Sequence, residues 1–211
     1  ILKISRKVKV VVDGGNGCFG IVGPDLLRRL GQDPVELFSE PDGTFPNHHP
    51  DPTVKEHLTY LIAKVRSENA ELGIGFDGDA DRIGVVDEKG SILWGDQLLT
   101  IFARDILSRN PGATIVGEVK CSQNLYQDIE NHGGVPVMAA AGHSLIKNKM
   151  RETGALLAGE MSGHICFSDN YYGFDDAVFA ACRVLQIVAE SKQKVSEMLA
   201  DLPKTASTPE I

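Results

Sequence analysis

Short runs rich in Val, Ile and Leu alternate with amphipathic stretches along this chain, and this alternation restricts its fold more than any other feature. Residues 7–12 are Val-rich, as is typical of a buried strand, and the Gly-rich residues 13–17 follow as a tight strand-to-helix turn. Strands separated by helices in this way predict an α/β unit with a largely parallel sheet. In the first predicted helix, the apolar side chains that share one face are Ile21, Val22, Leu26, Leu27 and Leu30.

The same rhythm restarts after about residue 90 and predicts further strands near residues 114–119, 135–138 and 155–158, with helices between them. We therefore expect an α/β fold of two consecutive α/β domains, each a mostly parallel mixed sheet packed between helices. The expected bounds are residues 1–91 for a first domain, residues 92–203 for a second, and residues 204–211 for a linker to an absent domain.

Composition excludes several classes of protein. A net charge of −8 over 211 residues argues against nucleic-acid binding, since that affinity depends on Lys and Arg neutralising phosphates. No apolar run approaches the roughly 20 residues that cross a bilayer, and no leader is recognisable, so we expect no membrane contact and a cytoplasmic location. The four scattered cysteines form no C-x-x-C pair, which indicates reduced thiols. Because the first residue is Ile1 rather than Met, we expect a fragment.

An acidic loop at residues 77–82 is the first candidate site. Asp77, Asp79 and Asp81 alternate with small residues between two predicted strands, and carboxylates this close repel one another unless a cation compensates. Oxygen-only ligands favour Mg²⁺, and the forked guanidinium of Arg82 suits a phosphate oxygen. Two alternatives stay open: a solvated acidic turn, and a calcium loop of the EF-hand type. Glu88 has the right spacing for that loop, although Arg82 stands where it requires Gly.

Residues 159–164 form the second candidate, where Glu160, Ser162 and His164 follow an apolar strand. A carboxylate and a hydroxyl suit sugar hydroxyls through directional hydrogen bonds, although an ordinary polar loop would look similar. Lys120 follows a predicted strand at its carboxyl end, where sites of open α/β sheets gather. His143 stands at the start of a predicted helix, where anions are favoured. Taken singly, either side chain would more often be simply solvated.

Together these motifs resemble the α-D-phosphohexomutase superfamily, particularly its phosphomannomutase/phosphoglucomutase branch. The family's metal loop reads D-G-D-G-D-R, and its sugar-binding loop, G-E-M-S-G-H, is matched in full at residues 159–164. Residues 12–17, 45–50 and 142–147 resemble further family segments in the same order, so the resemblance covers nearly the whole chain. One departure is Ala80, where the family usually has Gly. If that position needs a positive φ, Ala costs about 1 kcal/mol.

The resemblance implies a phosphohexose mutase that interconverts hexose 1-phosphate and 6-phosphate through a phosphoserine enzyme and a 1,6-bisphosphate intermediate. Family members have four domains, and this chain resembles the second and third. The 211 residues contain neither a T-A-S-H-N-P-like serine segment nor an R-x-S-G-T-E-P-like phosphate-binding segment. The implied partners are therefore a hexose phosphate substrate and the missing N-terminal and C-terminal domains, and we expect no turnover from this chain alone.

The resemblance also implies a role for each candidate residue. The implied ligands of the Mg²⁺ cofactor are Asp77, Asp79 and Asp81. The implied substrate-binding residues are Glu160, Ser162 and His164. The implied catalytic residues, which would steady the phosphoryl group or act as acid/base or electrostatic helpers, are Arg82, Lys120 and His143.

Two other functions are compatible with parts of the pattern. A stand-alone module could bind a sugar phosphate or Mg²⁺ without turnover, and only the neighbouring reading frame separates it from a mutase fragment. A phosphotransferase or phosphatase with an aspartate nucleophile would show a D-x-D-x-[TV] signature. That signature fails here, because Asp81, followed by Arg82, stands where the signature requires Thr or Val.

Overall fold

The computed structural model describes residues 2–203, so the predicted linker at 204–211 lies outside the described residues. Its first sheet has five strands in the order β2-β1-β3-β4-β5. Their bounds are Val10–Asp13 (β1), Val35–Leu37 (β2), Leu72–Phe76 (β3), Ile83–Asp87 (β4) and Ile92–Leu93 (β5). Strand β1 pairs in parallel with β2 and β3, whereas the β3–β4 and β4–β5 pairings are antiparallel.

The second sheet has four strands in the order β7-β6-β8-β9. They are Thr114–Glu118 (β6), Val135–Ala139 (β7), Leu157–Gly159 (β8) and Ile165–Phe167 (β9). Strand β6 is parallel to β7 and β8, and β9 runs antiparallel to β8. The helices are Phe19–Arg29 (α1), Thr59–Glu68 (α2), Gly95–Arg109 (α3), Gln123–Asn131 (α4), His143–Thr153 (α5) and Ala177–Glu190 (α6). The prediction of two consecutive α/β units with mixed sheets is confirmed.

Alternate side chains of the first sheet enter two different apolar layers, as the pleat of a strand requires. Val11 packs with Leu61 and Val65 of α2 on one face, while Val10 and Val12 join the main core on the other. Helix α2 approaches closely because β3 has glycines facing it. A Cβ at Gly73 would lie only 2.6 Å from Cγ2 of Val65.

Helix α1 is rotated away from the apolar face that the sequence indicates. Of the predicted face, Leu27 is buried, but Ile21 and Val22 are 65% and 57% exposed. Phe19, which the prediction did not include, is fully buried. The physical reason is an aromatic contact: the ring of Phe19 stacks on that of Phe76 at 3.8 Å between centroids and sets the rotation of the helix.

Helices α3 and α6 lie between the two sheets and join them in one apolar core. This core takes side chains from β3 and β4 of the first sheet, from both helices, and from β6, β8 and β9 of the second. Strand β5, at residues 92–93, is hydrogen bonded into the first sheet, and the domain boundary after residue 91 stays a prediction. Across residues 2–203, none of the helices combines the length and the apolar character needed to cross a membrane.

Candidate active site

The acidic loop, residues 77–82, connects the antiparallel strands β3 and β4 and is organised around one buried carboxylate. Asp77 is 2% exposed. Its Oδ1 accepts hydrogen bonds of 3.0 Å from the backbone amides of Asp81 and Arg82, and its Oδ2 accepts one of 2.7 Å from Nε of Arg82. Ala80 completes the curl with a φ of 64°. The small residues of the loop therefore let the chain fold back over Asp77.

The three aspartates of the acidic loop converge as the sequence predicts. One carboxylate oxygen from each of Asp77, Asp79 and Asp81 lies within 4.8 Å of the others. Burial, followed by the charge of neighbouring Asp77, raises the pKa of Asp81 to about 6. Asp79 is exposed, so a ligand can approach from solvent. An all-oxygen donor set whose negative charges destabilise one another fits a hard divalent cation such as Mg²⁺.

The guanidinium of Arg82 is held by two carboxylates. Its Nε bonds to Asp77, and its Nη1 donates to Oδ1 of Asp51 at 3.1 Å. Asp51 is itself fixed by hydrogen bonds from the backbone amide and hydroxyl of Thr53, at 3.0 and 2.7 Å. Asp51 is a site residue that sequence reasoning missed, although it directly follows the segment 45–50 that resembles the family. Nothing in its own spacing pointed to Arg82.

The Glu160 loop, residues 159–164, connects β8 and β9. Glu160 is 4% exposed, and its Oε1 accepts a 2.6 Å hydrogen bond from the backbone amide of Gly142. Its Oε2 lies 3.2 Å from Nδ1 of His164. Burial raises the pKa of Glu160, but the contacts with His164 and with the amide of Gly142 outweigh burial and hold this pKa below its usual value. The next amide, of Met161, donates to the buried carboxylate of Glu118 at 2.7 Å, a second anchor that the sequence did not reveal.

Direct hydrogen bonds join the acidic loop to the Glu160 loop. The backbone amide of Ile83 donates to the carbonyl of Gly163 at 3.1 Å, and Arg82 and His164 form an isolated antiparallel bridge. Nε2 of His164 lies 3.4 Å from Oδ1 of Asp81. The two motifs, 82 positions apart at their starts in the sequence, therefore form one continuous surface in the structure.

His143 extends this surface from the start of α5. Its ring stacks on that of His164 with 5.5 Å between centroids, and its Nδ1 lies 3.4 Å from Oδ2 of Asp175. Asp175 also forms a 2.8 Å ion pair with Lys147. Burial raises the pKa of Asp175, but the contact with Lys147, a backbone hydrogen bond and the charge of His164 together lower it by more, so the pKa lies below its usual value. The sequence alone does not reveal Asp175 as a site residue, because its place beside both histidines requires the tertiary fold.

The structure brings together eight of the nine predicted site residues, and it places the ninth, Lys120, in an adjoining groove. Lys120 lies just after β6 and is exposed. It lines a groove of about 730 Å³ that also includes Trp94, Asp96 and Met161. Because Met161 belongs to the Glu160 loop, this groove borders the candidate site. Ser162 also contributes to the main cluster, with its Oγ 2.9 Å from Nδ1 of His164.

Comparison with known proteins identifies this arrangement. Residues 2–90 match the family model of phosphoglucomutase/phosphomannomutase alpha/beta/alpha domain II, and residues 94–206 match that of domain III. The phosphomannomutase/phosphoglucomutase of Pseudomonas putida is 53% identical over 210 residues, covering 100% of this chain and 45% of that protein. The phosphoglucomutase of Neisseria meningitidis serogroup A is 48% identical with the same coverage. The chain thus spans about half the length of these curated relatives.

Solved structures agree. A phosphoglucomutase/phosphomannomutase family protein from Burkholderia thailandensis superimposes with a TM-score of 0.94 at 49% identity, over 99% of this chain and 45% of that one. The N-acetylphosphoglucosamine mutase of Aspergillus fumigatus, solved with GlcNAc-6P and magnesium, shares the fold with a TM-score of 0.71 at 21% identity, over 95% and 46% of the two chains. This chain belongs to the phosphoglucomutase/phosphomannomutase family.

Proposed function

We propose that this chain supplies the metal-binding and sugar-binding loops of a mutase that interconverts hexose 1-phosphate and hexose 6-phosphate through a phosphoserine enzyme and a 1,6-bisphosphate. The observation that carries the proposal is that hydrogen bonds join the acidic loop to the Glu160 loop. Phosphoryl transfer depends on positioning and charge neutralisation more than on covalent chemistry of the protein. A carboxylate cluster fixed against a polar loop that can bind a sugar meets both needs.

The acidic loop would hold the metal. Asp77, Asp79 and Asp81 are the proposed Mg²⁺ ligands, supported by their convergence and by the raised pKa of Asp81. Bound Mg²⁺ would supply positive charge that offsets the negative charge of the transferring phosphoryl group. Arg82 adds a fixed positive charge beside it. Asp51 and Asp77 hold its guanidinium in one orientation, so little side-chain entropy remains to be lost when a phosphate oxygen arrives.

The Glu160 loop would hold the sugar. Glu160 uses its two oxygens on Gly142 and His164. A carboxylate offers about four lone-pair positions, so acceptor capacity is left for sugar hydroxyls. Ser162 can donate or accept through its hydroxyl. His143 and His164, stacked beside the loop, would exchange protons with a reacting hydroxyl or stabilise a phosphate by charge, and Lys120 would add positive charge from the adjoining groove.

The nucleophile and the second phosphate contact would come from elsewhere in the protein. The curated relatives are about twice as long, and the 211 residues contain no family-like phosphoserine segment. We therefore expect this chain alone to bind hexose phosphate without turning it over. The four cysteines are all free thiols, which supports the proposed cytoplasmic location, where thiols stay reduced.

The proposal can be tested by titrating the purified 211-residue chain with glucose 1-phosphate in the presence of Mg²⁺ and monitoring binding by backbone NMR. We expect the largest shifts at residues 77–82 and 159–164, and at least tenfold weaker binding in Glu160→Gln. Glu152→Gln changes an exposed carboxylate on α5 and is the matched control. Binding that is insensitive to Glu160→Gln, or rapid conversion of glucose 1-phosphate to glucose 6-phosphate by this chain alone, would contradict the proposal.

A further inference from the structure

A second group of potential metal ligands lies across the junction of the two loops. Single ligand atoms of Asp81, His164 and Asp175 all lie within 4.8 Å of one another. Unlike the three aspartates of the acidic loop, this group contains an imidazole nitrogen. Imidazole suits Zn²⁺ and related transition metals, whereas Mg²⁺ prefers oxygen ligands alone. The two groups share Asp81 but differ in the cation that their chemistry favours.

The distance between two members of this second group is compatible with tetrahedral coordination. Nε2 of His164 lies 3.4 Å from Oδ1 of Asp81. Two ligands at about 2.0–2.1 Å from a tetrahedral Zn²⁺ are separated by about 3.3–3.4 Å. The same 3.4 Å separates Nδ1 of His143 from Oδ2 of Asp175, so His143 is a candidate fourth ligand. The spacing of Asp81 and His164 therefore allows one cation to be coordinated by both, with Asp175 within 4.8 Å of them.

The histidine of this group is already oriented in the way that metal-bound histidines are. Its Nδ1 faces Oε2 of Glu160 at 3.2 Å and Oγ of Ser162 at 2.9 Å. A carboxylate that accepts the Nδ1 proton of His164 fixes the tautomer whose Nε2 lone pair points outward. In that tautomer the lone pair faces Asp81, so a bound cation could be coordinated by both side chains.

A buried oxygen that accepts no hydrogen bond within residues 2–203 points to the same place. The side chain of Asp175 is only 9% exposed, and its Oδ1 is paired with Lys147 at 2.8 Å. Its Oδ2 is buried and accepts no hydrogen bond among the residues that the structure describes. Its nearest contact of opposite charge is Nδ1 of His143 at 3.4 Å. A buried carboxylate oxygen that accepts no hydrogen bond costs free energy unless a cation or a donor satisfies it. This observation concerns a different atom from the histidine geometry and supports a ligand independently.

We infer that Asp81, His164 and Asp175 form a second divalent-cation site, which takes Zn²⁺ or a similar transition metal and discriminates against Mg²⁺. A cation there would link the acidic loop to the Glu160 loop and to the segment before α6. Because Asp81 belongs to both groups, Zn²⁺ at the second site would compete with Mg²⁺ at the acidic loop. The inference does not depend on the proposed mutase activity, since it concerns the binding of ions to this chain alone.

Calorimetric titration of the metal-free 211-residue chain with ZnCl₂, and separately with MgCl₂, tests the site. We expect one tight Zn²⁺ site, with affinity reduced more than about 100-fold in both His164→Gln and Asp175→Asn, since even outer-shell changes cost about 10–100-fold. Glu160→Gln, which removes the orienting carboxylate, should fall within that 10–100-fold range. Circular dichroism establishes that each variant is folded.

Two control variants make the result specific. His132 lies 3.4 Å from Asp128, the same spacing as in the proposed site, but it lies at the end of α4. His132→Gln should leave the tight Zn²⁺ site unchanged. Asp79→Asn should weaken Mg²⁺ binding while leaving the Zn²⁺ affinity within about threefold of the wild-type value. The failure of one proposed site can therefore be distinguished from the failure of the other. Unchanged Zn²⁺ affinity in folded His164→Gln or Asp175→Asn, or an equal loss in His132→Gln, would overturn the inference.

Discussion

Replacing Ala80 by glycine should stabilise the protein, because Ala80 holds a φ of 64°. The left-handed conformation costs an L-residue about 1–2 kcal/mol. Glycine removes that cost, but it destabilises the protein by roughly 0.5–1 kcal/mol because an unfolded chain with glycine has more conformational freedom to lose on folding. Ala80 is half-buried against the main core. Removing its methyl group therefore costs a further few tenths of a kcal/mol, about half of the cost of removing a fully buried methyl group. The net gain is about 0.5 kcal/mol.

The backbone around Ala80 should keep its conformation in the variant. Its amide donates to the carbonyl of Asp77, and its carbonyl accepts from the amide of Ala177 at 3.1 Å. Neither bond depends on the side chain. We expect Ala80→Gly to raise the midpoint of urea unfolding and to leave Mg²⁺ affinity unchanged.

The matched control for Ala80→Gly is Ala63→Gly, which makes the same chemical change at an exposed position inside helix α2. Glycine in a helix interior costs about 1 kcal/mol, so this variant should lose stability. The two substitutions should therefore move the urea midpoint in opposite directions. If Ala80→Gly destabilises the protein as much as Ala63→Gly does, the left-handed conformation at position 80 is not strained and the reasoning is wrong.

Two further predictions concern pH and packing. The hydrogen bond between His48 and Asp13 raises the pKa of His48 in the folded protein. The pair therefore contributes its whole stabilisation below about pH 6.5, the pKa of an unfolded His, and loses it as pH rises through the folded pKa. The free energy of unfolding of the wild type, measured relative to His48→Gln, should therefore fall between about pH 6 and pH 8, and a difference that grows with pH would contradict this. A Cβ at Gly95 would lie 2.2 Å from the carbonyl oxygen of Glu160, so Gly95→Ala should cost about 1–3 kcal/mol in urea unfolding and should weaken glucose 1-phosphate binding. Gly43→Ala meets no atom within 4 Å and should stay within about 0.5 kcal/mol, and equal effects of the two changes would refute the packing argument.

Local patterns predicted the α/β architecture well because strand and helix periodicities depend on neighbouring residues. Strands β6 and β7 end within one residue of the predicted ranges 114–119 and 135–138. Two short strands, β5 and β9, were not predicted, because two or three residues carry too little periodicity. The rotation of α1 could not be predicted either, since it depends on the stacking of Phe19 against a residue 57 positions away.

The candidate site was predictable where its residues form continuous motifs. Residues 77–82 and 159–164 could be recognised because each loop has its characteristic residues side by side. Asp51, Asp175 and Glu118 could not be recognised, because each acts through a partner distant in sequence. Asp51 reaches Arg82 across 31 positions, and Asp175 reaches Lys147 across 28. Long-range carboxylate pairings of this kind leave no periodic trace in one sequence.

The Mg²⁺ affinity of the acidic loop tests the proposed function most directly. Titration of the 211-residue chain with MgCl₂, followed by backbone NMR, should show saturable binding at about 0.1–1 mM, with shifts concentrated at residues 77–82, because the loop provides only part of a metal shell. Asp79→Asn should weaken this binding at least tenfold. Asp25→Asn, at a 79% exposed side chain on α1, should leave it unchanged. Mg²⁺ binding that survives Asp79→Asn unchanged, or shifts located elsewhere in the chain, would contradict the assignment of this loop as the metal site.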